Sequence, residues 1–146
     1  MNIPFLDNWR KKRSLAHGVA VYSAGESDHE GVAELLSECE LLRSQADQAG
    51  IQLDDSAASL EALDQLLPRW REDEETLSWL GNDAGLYLGT VIVRTVEGAV
   101  WEVWPSRRPV VRLSSGREID VVASGHEWAV SGVPELSQLY AEISEG

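Results

Sequence analysis

Chemistry needs convergent groups, and in this sequence the candidates are few: His17, His29 and His126, the single Cys39, and carboxylates without motif spacing. The densest set is His126 and Glu127 with Asp120, near Trp104 and Trp128. An imidazole beside carboxylates in a small pocket could move protons, but a hydrogen-bonded histidine at a strand end is the plainer expectation. There is no Gly-x-Ser-x-Gly elbow to expose a serine nucleophile, and Ser124-Gly125-His126 reads as a polar turn. Zinc would need paired Cys/His ligands, which are absent. Glu30, Glu34 and Glu38 form a row at helical spacing but have no coordinating loop, so they read as a solvated face. Cys39 sits between Glu38 and Glu40, which raise rather than lower a thiol pKa, and it reads as a small buried hydrophobe. Gly81, Gly85 and Gly89 match neither Gly-x-Gly-x-x-Gly nor a Walker loop and have no lysine nearby. No catalytic residue, cofactor or metal is therefore assigned. An enzyme or ligand pocket near His126 stands as an alternative only.

Residue types suited to binding are better represented. Trp104, Arg107, Arg108, Arg112 and Trp128 cluster within residues 104–128, and Trp and Arg are enriched in interface hot spots. A second set is N-terminal: Phe5 and Trp9 with Arg10, Lys11, Lys12 and Arg13, a pattern that could touch a partner or an anionic membrane surface. Those four cations against Asp7 give residues 1–13 a side-chain charge of +3, while the other 8 cations against 24 acids give −16. A net charge of −13 opposes general nucleic-acid binding, where phosphate neutralisation supplies most of the affinity. One cysteine excludes an internal disulfide framework and fits a reducing cytoplasm. No apolar run approaches the roughly 18 residues of a membrane span, and no secretory signal is visible.

The elements that must hold these groups are legible from periodicity. Residues 1–25 read as a flexible basic and apolar segment, with Val19–Tyr22 as an edge strand at most, and residues 26–146 as one domain. Ser27-Asp28-His29-Glu30 has capping-box spacing, and Val32, Leu35, Leu36, Cys39, Leu42, Ala46 and Ala49 predict one continuous helix ending at Gly50. Asp54, Asp55 and Ser56 open a second helix carrying Leu60, Leu63, Leu66 and Leu67, with Pro68 ending it, so the two form a helical hairpin. The acidic run Glu72–Glu75 suits the first turn of a third helix. Gly81, Gly85 and Gly89 then make one smooth stripe on it for close backbone approach. The β-branched residues after Thr90 would suit a strand, but a helix to about Thr95 is expected.

From Gly98 the period changes to two. Ala99–Trp104, Pro109–Leu113 and Glu118–Ala123 predict an antiparallel meander. Trp101, Val103, Val111, Leu113, Ile119 and Val121 would line one face. Arg112 on the other would pair with Glu102 and Asp120. Gly125–Val130 predicts a fourth short strand, and Pro134 opens a final helix with Leu136, Leu139, Tyr140 and Ile143 inward. The fold class expected is α+β: a helical hairpin and a buried glycine-rich helix on a three- to four-stranded antiparallel sheet, with a C-terminal helix.

Four segments carry a resemblance: Leu35–Arg43, Ser59-Leu60-Glu61-Ala62-Leu63-Asp64, Trp79–Val96 and Ser115–Val122. Together they resemble an uncharacterised family of small acidic actinobacterial proteins with no assigned activity, over nearly the whole chain. They are also similar to a looser bacterial pattern of a Ser-Leu-x-x-Leu-Asp helix, a Tyr-Leu-Gly helix and a Trp-bearing hairpin. In that pattern a Glu follows Tyr-Leu-Gly, whereas Thr90 follows Tyr87-Leu88-Gly89 here. The resemblance implies the fold and an intracellular setting, and no mechanism. The function expected is that of a non-catalytic intracellular interaction or regulatory protein, immunity- or inhibitor-like proteins included, with another protein as its partner.

Overall fold

The computed structural model describes residues 36–145. The expected capping box at Ser27–Glu30 and the basic N-terminal segment lie outside them. In chain order the elements are α1 (Glu40–Gln48), α2 (Ala57–Trp70), α3 (Glu74–Thr95), β1 (Val100–Val103), β2 (Pro109–Arg112), β3 (Glu118–Ile119), α4 (Val121–Ser131) and α5 (Leu136–Glu145). Among the described residues the architecture is α+β, with five helices, the last of them C-terminal, and a three-stranded antiparallel sheet.

The molecule is built on α3. Asp73 caps its start by accepting from the Glu75 N–H at 3.1 Å, and Glu74 and Glu75 place negative charge in the first turn, where the helix dipole favours it. Its 22 residues extend about 33 Å at 1.5 Å per residue. Leu80, Ala84, Tyr87, Leu88, Val91 and Ile92 are wholly buried. The β-branched end stays helical to Thr95, as expected. Thr90 and Thr95 turn their hydroxyls back to the carbonyls of Leu86 and Val91, at 2.9 and 2.7 Å, so neither side chain competes for strand pairing.

Around α3 the other helices dock in turn, α1 and α2 both against it. The first helix is not continuous. Cys39 takes a left-handed conformation (φ 42°, ψ 45°), and α1 begins only at Glu40. Arg43 binds this break from inside the helix, donating to the carbonyls of Ser37 and Glu38 at 2.8 and 2.9 Å. In α2, Ser56 caps the start as expected, but Pro68 does not end the helix, which continues to Trp70. Proline forbids a backbone hydrogen bond at its own position, not one further turn, and Trp70 is 5% exposed, so burial holds that turn in place.

The sheet has the order β1-β2-β3, with Trp101 opposite Val111 and Val111 opposite Ile119. These three line the core face with Val103 and Leu113, all buried. Both hairpins have the same geometry. The Arg107 N–H donates to the Trp104 carbonyl and the Trp104 N–H to the Arg108 carbonyl; the Gly116 and Leu113 N–H groups repeat this with Leu113 and Arg117. Each places its fourth residue at positive φ: Gly116 at 95° and Arg107 at 73°.

Two expectations fail after β3. The third strand stops at Ile119, and the segment expected as a fourth strand, Gly125–Val130, lies inside α4. Asp120 decides the switch, because its carboxylate accepts the Ala123 N–H at 3.1 Å and caps a helix where alternation alone suggested a strand. Gly125 then does what a strand glycine would not. A Cβ there would overlap the Gly81 carbonyl and the Gly85 amide, and one on Gly85 would overlap the backbone of Val121 and Val122. The stripe on α3 therefore receives α4. Gly89 lies instead under the Trp101 ring. At its far end, α4 is closed by Gly132 at φ 78° and by Arg71, whose guanidinium donates to the Val130 carbonyl at 2.7 Å.

Candidate interaction surface

Four of the five expected sheet-side residues sit at the β1–β2 hairpin and on the adjoining outer face. Trp104 precedes the turn and is half-buried; Arg107, Arg108 and Arg112 are exposed. The ladder explains their grouping, because Glu102, Arg112 and Glu118 project from the same face of three neighbouring strands. Arg112 reaches Glu102 at 3.4 Å, as expected. It does not hold Asp120, which is taken by Arg108 at 2.8 Å. That pair joins the hairpin to the α4 cap, since one carboxylate serves both the Arg108 guanidinium and the Ala123 amide.

The two glutamates of this face shift each other's titration in opposite directions. The hydrogen bond from Glu102 to Glu118 raises the Glu102 pKa, helped by partial burial, and lowers that of Glu118. Glu118 is also held down by the Trp104 indole and by Arg112. The face is thus more internally paired than its residue types suggest, and Val110 at its centre is wholly buried.

Trp128 does not belong to this surface. It is 0% exposed, and its indole N–H donates to Asp64 at 2.9 Å. The His126 grouping also disperses. His126 is exposed on α4 and packs beside Gly81, where a Cβ would strike its Nδ1. Asp120 is committed to Arg108 and the helix cap, and Trp128 is in the core. Among the described residues no group of three or more His, Cys, Asp or Glu is arranged to hold a metal ion. Cys39 is buried, its thiol faces the Leu36 carbonyl at 3.7 Å, and burial foremost, with Asp83, pushes its pKa well above the ordinary thiol range. Phe5, Trp9, Arg10, Lys11, Lys12 and Arg13 lie outside the described residues, as do His17 and His29.

Several polar residues that carry the architecture were not anticipated. Asp64 accepts from the Trp128 indole, from the Leu136 and Ser137 amides at 2.8 and 3.1 Å, and from the Ser137 hydroxyl at 2.6 Å. It therefore caps α5 from another helix. Asp83 does the same for α1, accepting from the Leu42 amide at 3.1 Å, and burial raises its pKa against those hydrogen bonds. Asp55, at φ 63°, gathers Arg43 at 2.9 Å and Arg94 at 3.1 Å. Its amide donates to the Tyr87 hydroxyl at 2.9 Å, which also meets the Ser59 hydroxyl at 2.6 Å. The Arg43 guanidinium lies 5.2 Å from the centre of the Tyr87 ring.

These contacts give the sequence patterns a physical meaning. Ser59 and Asp64 of Ser-Leu-x-x-Leu-Asp, and the tyrosine of Tyr-Leu-Gly, are the polar anchors between α2, α3, α4 and α5. A carboxylate five residues after a serine is the available signal, but only the fold shows that it faces inward. No curated protein and no solved structure matches the chain. A family of unknown function, DUF6278, matches residues 1–146, the whole length, and the chain belongs to that family.

Proposed function

We propose that this is a non-catalytic interaction or regulatory protein of the cell interior, engaging another protein through the β1–β2 hairpin end of its sheet. The observation that carries the reading is Arg107. It holds a left-handed conformation at an exposed hairpin tip, where glycine serves in the sister hairpin and where a side chain costs roughly 1 kcal/mol or more. Its guanidinium has no ion pair among the described residues, whereas Arg108, Arg112 and Arg117 each have one. A strained and unpaired arginine beside a half-exposed tryptophan is the composition of an interface anchor. The dispersal of the His126 grouping weighs against the enzyme alternative. Among the described residues no helix is long and apolar enough to cross a membrane.

The test is quantitative affinity capture from the native cell with the intact chain as bait. A stoichiometric partner protein is expected, retained by the wild type and lost with the Trp104→Ala and Arg107→Ala double variant. Capture of nothing stoichiometric, or of the same partner by both forms, would overturn the reading.

A further inference from the structure

We infer that the group this hairpin receives is a carboxylate from an acidic segment of the partner protein, with Arg107 as its specific recipient; the inference rests on the interaction reading above. Residues 105–117 contain Arg107, Arg108, Arg112 and Arg117 and no acid, half of the 8 cations among residues 36–145, while those residues hold 20 acids in all. Glu102, Glu118, Asp120 and Glu142 lie against these arginines, so the sheet end is close to balanced in charge on a molecule of net −13. Three of its four arginines are neutralised at home, by Asp120, Glu102 and Glu142. Among the described residues no ion pair claims the fourth, Arg107, whose planar fork has the geometry that takes a carboxylate through two parallel hydrogen bonds.

The charge pattern also sorts the occupants. The chain's own N-terminal stretch, at +3 over residues 1–13, has the wrong sign for this seat. Nucleic acids and anionic membranes have the right sign, but they present extended charge to a protein of net −13 and need several phosphate contacts at once, whereas only one arginine of this hairpin end lacks an ion pair among the described residues. A single acidic stretch of a protein meets that limit. At physiological salt the screening length is about 8 Å, so the hairpin attracts locally while the remote acids are damped.

The inference is tested with the intact, isotope-labelled chain by NMR, using a blocked hexaglutamate peptide as the probe. Hexalysine, a short single-stranded oligonucleotide and phosphatidylserine vesicles are the comparison arms. Saturable shifts centred on the Trp104 indole, Arg107 and Arg108 are expected with hexaglutamate alone. They should be reduced by added salt, weakened about tenfold or more in Arg107→Gly on loss of a charge-assisted pair, and unchanged in Arg69→Ala. Arg107→Gly relieves the turn, so misfolding would not explain a loss. An absent or unsaturable response, equal binding by Arg107→Gly, tighter binding of oligonucleotide or vesicles, or equivalent shifts caused by protein concentration alone would overturn the inference. The two levels separate in capture: a partner held through the hairpin by a non-acidic segment sinks the carboxylate and leaves the interaction reading standing. Hexaglutamate binding with no cellular partner leaves Arg107 a carboxylate site but overturns both the interaction reading and the assignment of that carboxylate to a partner protein.

Discussion

Asp64 on α2 accepts the indole N–H of Trp128 on α4 at 2.9 Å, and through the same carboxylate it holds the first amides of α5. One side chain therefore joins three helices that are distant in sequence. The largest buried aromatic of α4 is satisfied by the group that starts the final helix.

Removing that carboxylate should be costly. Asp64→Ala leaves the Trp128 indole without its partner in the core and strips α5 of its cap. An unsatisfied buried donor costs about 1–3 kcal/mol and a lost helix cap about 1 kcal/mol, so a loss of about 3 kcal/mol is expected. Asp64→Asn keeps one acceptor oxygen and should lose less than half of that. Urea unfolding followed by tryptophan fluorescence checks both, and equal midpoints for Asp64→Ala and the wild type would refute the role.

The crossing of α3 and α4 makes a second prediction. Gly85→Ala and Gly125→Ala each drive a methyl into backbone atoms of the facing helix, and backbone cannot move aside as a side-chain tip does. Overpacking costs typically 1–3 kcal/mol, and both variants should reach or exceed the top of that range despite the helix propensity that alanine adds. Gly50→Ala serves as a contrast: its imagined Cβ meets nothing, so its cost is conformational and near 1 kcal/mol for a left-handed residue. Thermal unfolding of the three variants ranks them.

These two cases mark what a linear reading reaches. The periodicity of Leu80, Leu88, Val91 and Ile92 announces a buried helix, and the spacing of Gly81, Gly85 and Gly89 announces a close approach, because both properties belong to one segment. Which partner approaches does not. Gly125 looks like a turn or strand residue until Asp120 is seen to cap a helix, and alternation of Ile119 and Val121 cannot separate the last residue of a strand from the first of a helix. The polar anchors are hidden for a similar reason. Asp64 and Asp83 look like solvent-facing helix acids, and their value lies in amides many residues away. On the surface, Trp104 and the three arginines were legible as types, whereas Trp128 has the same composition signal and the opposite location. Only the pairing of Arg108, Arg112 and Arg117 singles out Arg107.

Arg107 makes a third prediction, on stability alone. Its φ of 73° is one that glycine adopts without penalty, so Arg107→Gly should stabilise the fold by about 0.5–1 kcal/mol. Gly116→Arg in the sister hairpin, at φ 95°, should cost a similar amount. Denaturant midpoints measure both. A destabilised Arg107→Gly would show that the arginine serves the fold rather than a partner.

The carboxylate that caps α1 gives a prediction in pH. Burial raises the Asp83 pKa in the folded state, so at acid pH below its ordinary range both states carry the proton and the group contributes no penalty. As pH rises through that range the unfolded chain ionises first, and folding stability falls until the folded pKa is passed, beyond which the loss is constant. Asp83→Asn removes the titration and keeps an oxygen for the Leu42 amide. The variant should therefore gain on the wild type as pH increases from about 4 towards neutrality, where an acid in this range normally ionises. The difference should then stay level to higher pH. Urea midpoints taken across pH for both proteins test this. A gap that is flat through the acid range, or that grows as pH falls, would mean that the ionised carboxylate earns more from the helix terminus than its burial costs.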